Sequence, residues 1–159
     1  IETLLTRGTG KLIITGRLGD VMKESAQIAV SLVKSIFPDK AEMLEKNDLH
    51  IHVPDGATPK DGPSAGITLT TAIASLLSGI PVSPSVAMTG EVSLRGGLNP
   101  IGGLSEKLMA AQRSGVRKVF IPSDNVEDLR DIAEEVRSSL EIVPVKEVSE
   151  VFDALGLKI

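Results

Sequence analysis

The sequence has no cysteine, no tryptophan and no tyrosine, and only three phenylalanines among its 159 residues. Without cysteine, a disulfide, a thiol nucleophile and a cysteine-ligated metal site are all excluded, which is compatible with a reducing compartment. The scarcity of aromatic residues disfavours stacking of bases or sugars on exposed rings. A formal net charge of −4 and a pI of about 5.2 also argue against nucleic acid as the main partner.

An uninterrupted apolar stretch of membrane-spanning length is also missing. Residues 62–90 carry no charge, but glycine, proline and six hydroxyl side chains between Ser64 and Ser78 interrupt this run. The helix predicted within it, 64–78, is too short to cross a bilayer. The first ten residues lack the basic segment and apolar core of a signal peptide. With 42% hydrophobic residues, the chain is expected to form one domain with an aliphatic core and no membrane association.

Hydrophobic periodicity and the positions of glycine and proline predict an α/β domain with a mixed sheet. Strands are predicted at 11–15, 49–53, within 86–96, at 117–122 and at 141–145. Helices are predicted at 20–37, 64–78, 104–114, 125–139 and 147–155, with a polar connection over 39–47. Gly115 is predicted to end the helix before it. Strands and helices alternate in the second half, which favours some parallel pairing.

One lysine lies in the apolar face of the helix predicted at 104–114. Leu104, Lys107, Leu108 and Ala111 are spaced i, i+3, i+4 and i+7, which places them on the same face. In one interpretation, Lys107 extends from the edge of this face to water. In the other, burial lowers its pKa, so that the amine is partly neutral near pH 7 and can accept a proton.

Ser64 opens the predicted helix 64–78 within the segment 59-PKDGPSAG-66. The commonest role for a serine at this position is an N-cap, in which its side-chain oxygen accepts a backbone N–H. The same position also suits a nucleophile, because the unpaired N–H groups and the helix dipole can stabilise an oxyanion. Gly62 and Gly66 would let a substrate backbone approach closely.

A serine nucleophile needs a base, and the sequence offers two solutions. His50 and His52, the only histidines, point to one face of a predicted strand and could act with Asp55 or Asp61 as the orienting carboxylate. The alternative for each histidine is an exposed polar position on the strand. Lys107 could instead serve alone as the base of a Ser–Lys dyad. The spacing of the residues does not choose between these solutions.

Other patterns are less specific. The glycine-rich segment 54–66 precedes a helix and could bind phosphate, but neither it nor 102–107 matches G-x-x-x-x-G-K-[ST] or G-x-G-x-x-G. The histidines and acidic residues lack metal-ligand spacing, so no metal is expected. The charged run 127–137 is typical of a solvated helix face.

Several segments together resemble the proteolytic domain of the Lon family of ATP-dependent serine proteases. They are 49-LHIHVPDGATPKDGPSAG-66, 88-MTGEVSLRG-96, 100-PIGGLSEKLMAA-111 and 119-VFIP-122, and 10-GKLIITGRLGDVMKESAQIA-29 also fits. The resemblance covers nearly the whole chain. In having a proline before the serine, the chain resembles the A-type subfamily, which is found in bacteria and mitochondria.

The resemblance assigns the nucleophile to Ser64 and the general base to Lys107. It implies that Thr89 helps to hold the lysine. Glu91 and Asp61 match acidic residues of the family motifs, and the position of Asp61 blocks the inactive site in some family structures, which marks it as a loop switch. The histidines are not the base in this family. The residues implied to supply the oxyanion site and close approach to the substrate backbone are Gly62, Pro63, Ala65 and Gly66.

The resemblance also implies the biological setting. Residues 1–159 would be the proteolytic domain, without its first strands and without the AAA+ and N-terminal domains. The expected partners are polypeptide substrates and further copies of the chain in a hexamer, and neither a membrane nor nucleic acid is expected. No cofactor is expected on this chain, whereas ATP and Mg²⁺ would bind the absent AAA+ module. The expected location is the bacterial cytoplasm, or the mitochondrial matrix in a eukaryote.

Two other functions compete with the peptidase hypothesis. One is an inactive relative that serves as an assembly module, which the presence of both Ser64 and Lys107 argues against. The other is a module that binds an anion or a nucleotide through its glycine-rich loops, which the missing phosphate-binding motifs argue against.

Overall fold

The computed structural model describes residues 1–157, which contain eight β-strands and six α-helices. The strands are β1 (Glu2–Arg7), β2 (Leu12–Thr15), β3 (Asn47–His52), β4 (Val86–Met88), β5 (Glu91–Val92), β6 (Leu98–Asn99), β7 (Lys118–Pro122) and β8 (Glu141–Val145). The helices are α1 (Asp20–Ile36), α2 (Ala41–Lys46), α3 (Gly66–Ser78), α4 (Leu104–Arg113), α5 (Glu134–Ser139) and α6 (Val148–Leu155). Two 3₁₀ segments occupy Pro38–Lys40 and Ser123–Asp131.

The strands form two three-stranded sheets and a small hairpin. In the first sheet, β3 lies between β1, which is antiparallel to it, and β2, which is parallel to it. The second sheet is parallel throughout, in the order β4-β7-β8. Strands β5 and β6 pair with each other as an antiparallel hairpin. The α/β class with mixed strand pairing is therefore confirmed.

Helix α3 is the centre of the molecule because it is buried on two sides. Leu69 and Ile73 pack into a core formed with α1 and the first sheet. Ile67 and Ala74 pack into a second core with Phe120 and the last helix. A helix buried on two sides cannot tolerate charged side chains, which explains why the charge-free run lies here.

Helix α4 covers the second sheet on its other face. Leu104 and Leu108 are buried against Val119 and Ile121 of β7 in a third core. The apolar face predicted for this helix is thus the face that packs inward, and Lys107 lies between its two buried leucines. Gly115 follows the helix in a left-handed conformation (φ +80°), as its role as a terminator predicts.

Three predictions about helix boundaries were wrong. The supposed polar connection 39–47 contains α2, whose Leu44 is buried in the first core. The single helix predicted at 125–139 is instead a 3₁₀ segment followed by α5, and buried Ile132 lies at the break between them. Helix α3 begins at Gly66 rather than at residue 64, because the segment before it is held by other bonds described below. No helix within residues 1–157 is long and apolar enough to span a bilayer.

Candidate active site

Ser64 and Lys107 lie in direct contact, although 43 positions separate them in the sequence. The Lys107 Nζ donates a hydrogen bond to Ser64 Oγ at 2.9 Å and another to Thr89 Oγ1 at 3.3 Å. The serine lies two residues before the start of α3, the lysine comes from α4, and the threonine follows β4. Three separate elements therefore converge on one amine.

Ser64 does not cap α3, so the N-cap interpretation was wrong. The N-cap position is Ala65, and the helix start has no side-chain cap. Backbone bonds hold the segment instead, since Gly90 N–H donates to Ser64 O at 2.9 Å and Ile67 N–H donates to Gly90 O at 3.1 Å. A Cβ at Gly66 would lie only 3.0 Å from Val92, so glycine permits this close approach. The serine hydroxyl remains available to the lysine.

The amine lies in an apolar cavity of about 300 Å³. The cavity walls include Ala87, Leu108 and Val119, and no carboxylate of residues 1–157 forms an ion pair with Lys107. Burial lowers the pKa of Lys107 below its ordinary value of 10.5, because the charged form loses hydration without gaining an anionic partner. The site therefore contains a hydroxyl hydrogen-bonded to an amine that gives up its proton more readily than a free lysine.

Among the four residues expected around the oxyanion site, only one supplies a free donor. Pro63 has no N–H, Gly62 N–H donates to Asp61 Oδ1, and Gly66 N–H donates to Pro63 O. The N–H of Ala65 makes no hydrogen bond to any of the residues that the structure describes. It is thus the donor next to Ser64 that a developing negative charge could use.

Comparison with known proteins identifies the family. The family model of the Lon protease (S16) C-terminal proteolytic domain matches residues 1–157. The Lon protease of Clostridium beijerinckii is 54% identical over 160 residues, covering 100% of this chain and 20% of the relative. The Lon protease of Methanosphaera stadtmanae is 54% identical over 162 residues, covering 100% of this chain and 20% of the relative. The Lon protease of Rhizobium meliloti is 53% identical over 154 residues, covering 95% of this chain and 19% of the relative. The chain belongs to the Lon protease C-terminal proteolytic domain family.

Membership in this family makes the chain a serine peptidase domain. The chain spans about a fifth of the length of the curated Lon relatives it matches. The resemblance read from the sequence segments is thereby confirmed.

Asp61 lies away from the Ser64–Lys107 pair in this Lon domain. Its Oδ1 accepts hydrogen bonds from Met22 N–H at the start of α1 and from Gly62 N–H, both at 2.9 Å. These two bonds lower the pKa of the Asp61 carboxyl. A Cβ at Gly19 would collide with this carboxylate, so the glycine before α1 makes room for it. The carboxylate therefore joins the loop before Ser64 to the start of α1.

Neighbouring contacts reinforce the same junction. Gly19 N–H donates to Lys60 O at 2.7 Å, and Lys60 N–H donates to Arg17 O at 3.0 Å. The Lys60 ammonium group donates to the carbonyls of Gly16, Asp55 and Thr58. The loop that leads to the serine is thus fixed to the rest of the domain over several residues.

The remaining acidic candidate, Glu91, is not brought to the amine. It lies on β5 opposite Asn99, half-buried, and it is not part of the cavity wall around Lys107. No hydrogen bond or ion pair of its side chain is found within residues 1–157.

The two histidines share one face of β3, as predicted, but they lie outside the cavity of the lysine. His50 Nε2 and His52 Nδ1 both hydrogen-bond to Thr15 Oγ1, at 2.9 and 2.8 Å. They line a separate groove with Glu2 and Leu4. Among the described residues, no group of three histidine, cysteine or acidic side chains is placed to hold a metal ion.

The wall residues that α3 and β4 contribute to the cavity were not singled out from the sequence, although they lie within the charge-free run 62–90. Thr68 from α3 and Ala87 and Met88 from β4 line it beside the reactive groups. β4 is only three residues long, and its pairing with β7 places the side chains of Ala87 and Met88 next to the amine.

Proposed function

We propose that this chain is the endopeptidase domain of an ATP-dependent Lon protease and that it cleaves peptide bonds with a Ser64–Lys107 dyad. The observation that supports this most directly is the 2.9 Å contact from Lys107 Nζ to Ser64 Oγ inside an apolar cavity. A general base must lie within hydrogen-bonding distance of the proton it takes, and its pKa must be close enough to the working pH. Lys107 lies within this distance of Ser64 Oγ and burial lowers its pKa, whereas both histidines contact Thr15 and not Ser64.

In the first half of the reaction, neutral Lys107 takes the hydroxyl proton as Ser64 Oγ attacks the peptide carbonyl carbon. The carbonyl oxygen becomes an oxyanion, which accepts a hydrogen bond from the free N–H of Ala65. The protonated lysine then gives its proton to the leaving nitrogen as the C–N bond breaks. The product is an acyl-enzyme on Ser64 and a free amine.

In the second half, a water molecule attacks the acyl carbon while Lys107 takes one of its protons. The Ser64 Oγ–carbon bond breaks and the serine recovers its proton from the lysine. The carboxylic acid product leaves, and the dyad returns to its starting state. The lysine thus alternates between base and acid, for which a lowered pKa is an advantage.

Thr89 and Asp61 are assigned supporting roles. Thr89 Oγ1 accepts the second hydrogen bond of the amine and aims it at the serine. Asp61 holds the loop before Ser64 against the start of α1, and its release would allow that loop to rearrange. A loop switch of this kind would act on the serine rather than on the lysine.

The proposal extends to the longer protein of which such domains are part. The substrates would be unfolded, damaged and short-lived regulatory proteins, delivered by an AAA+ module that binds ATP and Mg²⁺. Residues 1–159 would form the proteolytic domain of a homohexamer, located in the bacterial cytoplasm or, in a eukaryote, in the mitochondrial matrix. The support for this setting is the identity to Lon proteases over the whole chain.

Hydrolysis of an unstructured peptide tests the dyad. Ser64→Ala and Lys107→Met are each expected to lower kcat by roughly a thousandfold or more, because members of a catalytic unit fail together. The matched control is the double change His50→Ala and His52→Ala, which is expected to keep the rate. Full activity in the Lys107 variant, or loss of activity only in the histidine variant, would refute the assignment.

Covalent labelling separates an active peptidase from an inactive assembly module. A peptide boronate is expected to form an adduct at Ser64 in the unchanged chain and none in Ser64→Ala, as read by mass spectrometry. An unchanged chain that folds but shows neither labelling nor hydrolysis would favour the assembly module.

A further inference from the structure

The connection that leads into α4 is held by one buried side chain. Asn125, in the 3₁₀ segment that follows β7, is 2% exposed. Its Oδ1 accepts a hydrogen bond from Ile101 N–H at 2.9 Å, and its Nδ2 donates to Ile101 O at 2.8 Å. Within residues 1–157, the connection 100–102 makes no other hydrogen bond. The amide thus makes the same pair of bonds to Ile101 that a neighbouring strand would make.

A carboxylate fixes the orientation of this amide. The second Nδ2 hydrogen of Asn125 is donated to Asp128 Oδ2 at 2.8 Å. Because a carboxylate only accepts hydrogen bonds, it attracts the NH₂ group and would repel Oδ1 if the amide were turned over. Both donors and the acceptor of Asn125 are therefore in use, and an aspartate of the same size could not make the same three bonds.

The clamped residue lies next to the first turn of α4. Gly103 is the N-cap of the helix, and its carbonyl accepts a hydrogen bond from Lys107 N–H at 3.1 Å. Only Gly102 separates Gly103 from Ile101. The position of Ile101 is thus passed to the backbone of Lys107 through one peptide unit and one hydrogen bond.

The other end of the clamp is attached to the strand that also holds Thr89. Asn125 lies shortly after Pro122, the last residue of β7. Within β7, Phe120 O accepts a hydrogen bond from Thr89 N–H at 3.1 Å. The threonine and the helix of Lys107 are therefore both placed relative to β7, the first by its own backbone and the second by Asn125.

Apolar packing alone would define the place of α4 less well. Leu104 and Leu108 are buried against β7, but the burial of apolar surface has no preferred direction. Hydrogen bonds weaken steeply when they are misaligned, so the two bonds to Ile101 restrain the start of the helix in a way that packing does not. The 2.9 Å contact from Lys107 Nζ to Ser64 Oγ depends on such a restraint.

We propose that Asn125 is a positioning residue of the peptidase: by holding Ile101 it sets where α4 begins, and it thereby keeps Lys107 Nζ within reach of Ser64 Oγ. This inference rests on the proposed Ser64–Lys107 dyad. Asn125 is not part of the wall of the dyad cavity, so its effect on the amine passes through α4.

Asn125→Ala tests this role in the hydrolysis of an unstructured peptide. It should lower kcat roughly tenfold to a hundredfold, the loss expected when a reacting group is misplaced by about 1 Å, while KM stays close to that of the unchanged chain. The matched control is Gln112→Ala near the other end of α4, where Nε2 donates to Glu135 O and Ser139 Oγ. This control removes side-chain bonds from the same helix and should keep kcat.

The pH dependence of kcat distinguishes positioning from a loss of stability. Among the described residues, Lys107 is the only titratable side chain that lines the dyad cavity; Glu106 beside it in sequence is exposed, and Glu91 lies outside the cavity wall. Loosening α4 would hydrate the amine, so the midpoint of the rate profile should move to higher pH in Asn125→Ala and not in Gln112→Ala. A variant that was only less stable would lose folded molecules without moving the midpoint.

An exchange of two side chains separates the hold on Ile101 from the stability of the 3₁₀ segment. Asn125→Asp keeps the acceptor for Ile101 N–H, loses the donor to Ile101 O and places two carboxylates together. Adding Asp128→Asn supplies a donor between the two side chains again, so the melting temperature should recover. The value of kcat should stay low because Ile101 O still lacks its donor. Recovery of kcat together with the melting temperature would refute the positioning role.

Lys107→Met in the same assay separates failure of this inference from failure of the dyad. Full activity in Lys107→Met would refute the dyad itself. An inactive Lys107→Met, together with an Asn125→Ala that keeps both the kcat and the pH midpoint of the unchanged chain, would refute the positioning role alone. A fall of kcat in Asn125→Ala without a shift of the midpoint would also refute that role, since it would report only a loss of folded protein.

Discussion

Two clusters in this Lon domain are built around a hydroxyl and nitrogen bases, yet only one has the properties of a catalytic site. In the first, Lys107 Nζ donates to Ser64 Oγ and Thr89 Oγ1 within an apolar cavity. In the second, His50 and His52 both contact Thr15 Oγ1 on an exposed face of the first sheet. The hydrogen-bond lengths are similar in the two clusters, so bond length does not distinguish them.

The two clusters differ in the burial of the base and in the position of the hydroxyl near the start of a helix. The amine has lost hydration, which lowers its pKa, and its serine has a free backbone N–H next to it. The threonine of the second cluster ends β2, an edge strand, and its hydroxyl contacts the two histidines on an exposed face. A reactive hydroxyl therefore needs a base whose pKa burial has lowered and an unpaired donor next to it, and the first cluster has both.

The largest effect is expected from Lys107→Arg. The guanidinium keeps the positive charge and the donors but stays protonated at any working pH, so it cannot act as a base. Peptide hydrolysis should fall by roughly a hundredfold to ten-thousandfold, measured as kcat on an unstructured peptide. A variant with near-normal activity would mean that the charge, and not proton transfer, is what the first cluster supplies.

The pH dependence of acylation should differ from that of an ordinary lysine. Because burial lowers the pKa of Lys107, the rate should rise with pH and level off below 10.5. Between the folded and unfolded pKa values the unfolded chain binds more protons, so stability should also rise with pH in that window. Stopped-flow labelling measures the rate of acylation, and thermal melting measures the stability, each as a function of pH. In Lys107→Met, the rise of stability with pH that the lysine causes should be absent.

A smaller effect is expected from paired threonine changes. Thr89→Val removes one acceptor of the amine and should slow peptide hydrolysis about tenfold, the rate equivalent of a hydrogen bond of about 1.4 kcal/mol. Thr15→Val removes the hydroxyl that both histidines contact and should leave the rate unchanged. Equal losses in the two variants would show that the clusters are coupled.

The smallest effect concerns two hydroxyls that are not catalytic. Thr70→Val removes a satisfied hydrogen bond to Gly66 and should lower the free energy of unfolding by about 1 kcal/mol. Thr71→Val removes a buried hydroxyl that has no hydrogen-bond partner within residues 1–157, and should leave that free energy unchanged or raise it. Urea unfolding of the two variants gives the comparison, and a larger loss in Thr71→Val would show that its hydroxyl is paired in the free protein.

Much of the fold could be predicted because its signals are local. The apolar face of α4, the strand at 141–145 and the terminating Gly115 follow from spacing and residue type alone. Helix α2 was missed because its six residues offer only a few apolar positions, of which Leu44 is buried. The break at Ile132 was missed because a charged run with helical spacing does not reveal where a buried side chain will interrupt it.

The site could be predicted only in part, for a physical reason. The unusual position of Lys107 in an apolar face was visible, but spacing alone left the choice between lysine and histidine open, and it was the family resemblance that assigned the base to the lysine. Likewise, the pairing of Asp61 with the start of α1 joins residues 39 apart in the sequence. Contacts at such separations follow from the arrangement of the sheets, which no local pattern encodes.

The two hydrogen bonds between Gly90 and the start of α3 have a mechanical consequence. Because these bonds join Ser64 and Ile67 to Gly90, the residue after Thr89, the backbones of Ser64 and Thr89 are held in a fixed arrangement. Lys107 belongs to a different helix, α4, and its amine is joined to Ser64 and Thr89 by its own two side-chain hydrogen bonds. A small displacement of α4 would therefore separate Lys107 Nζ from Ser64 Oγ and leave the start of α3 unchanged, so the distance between these two elements determines whether the hydrogen bond can form.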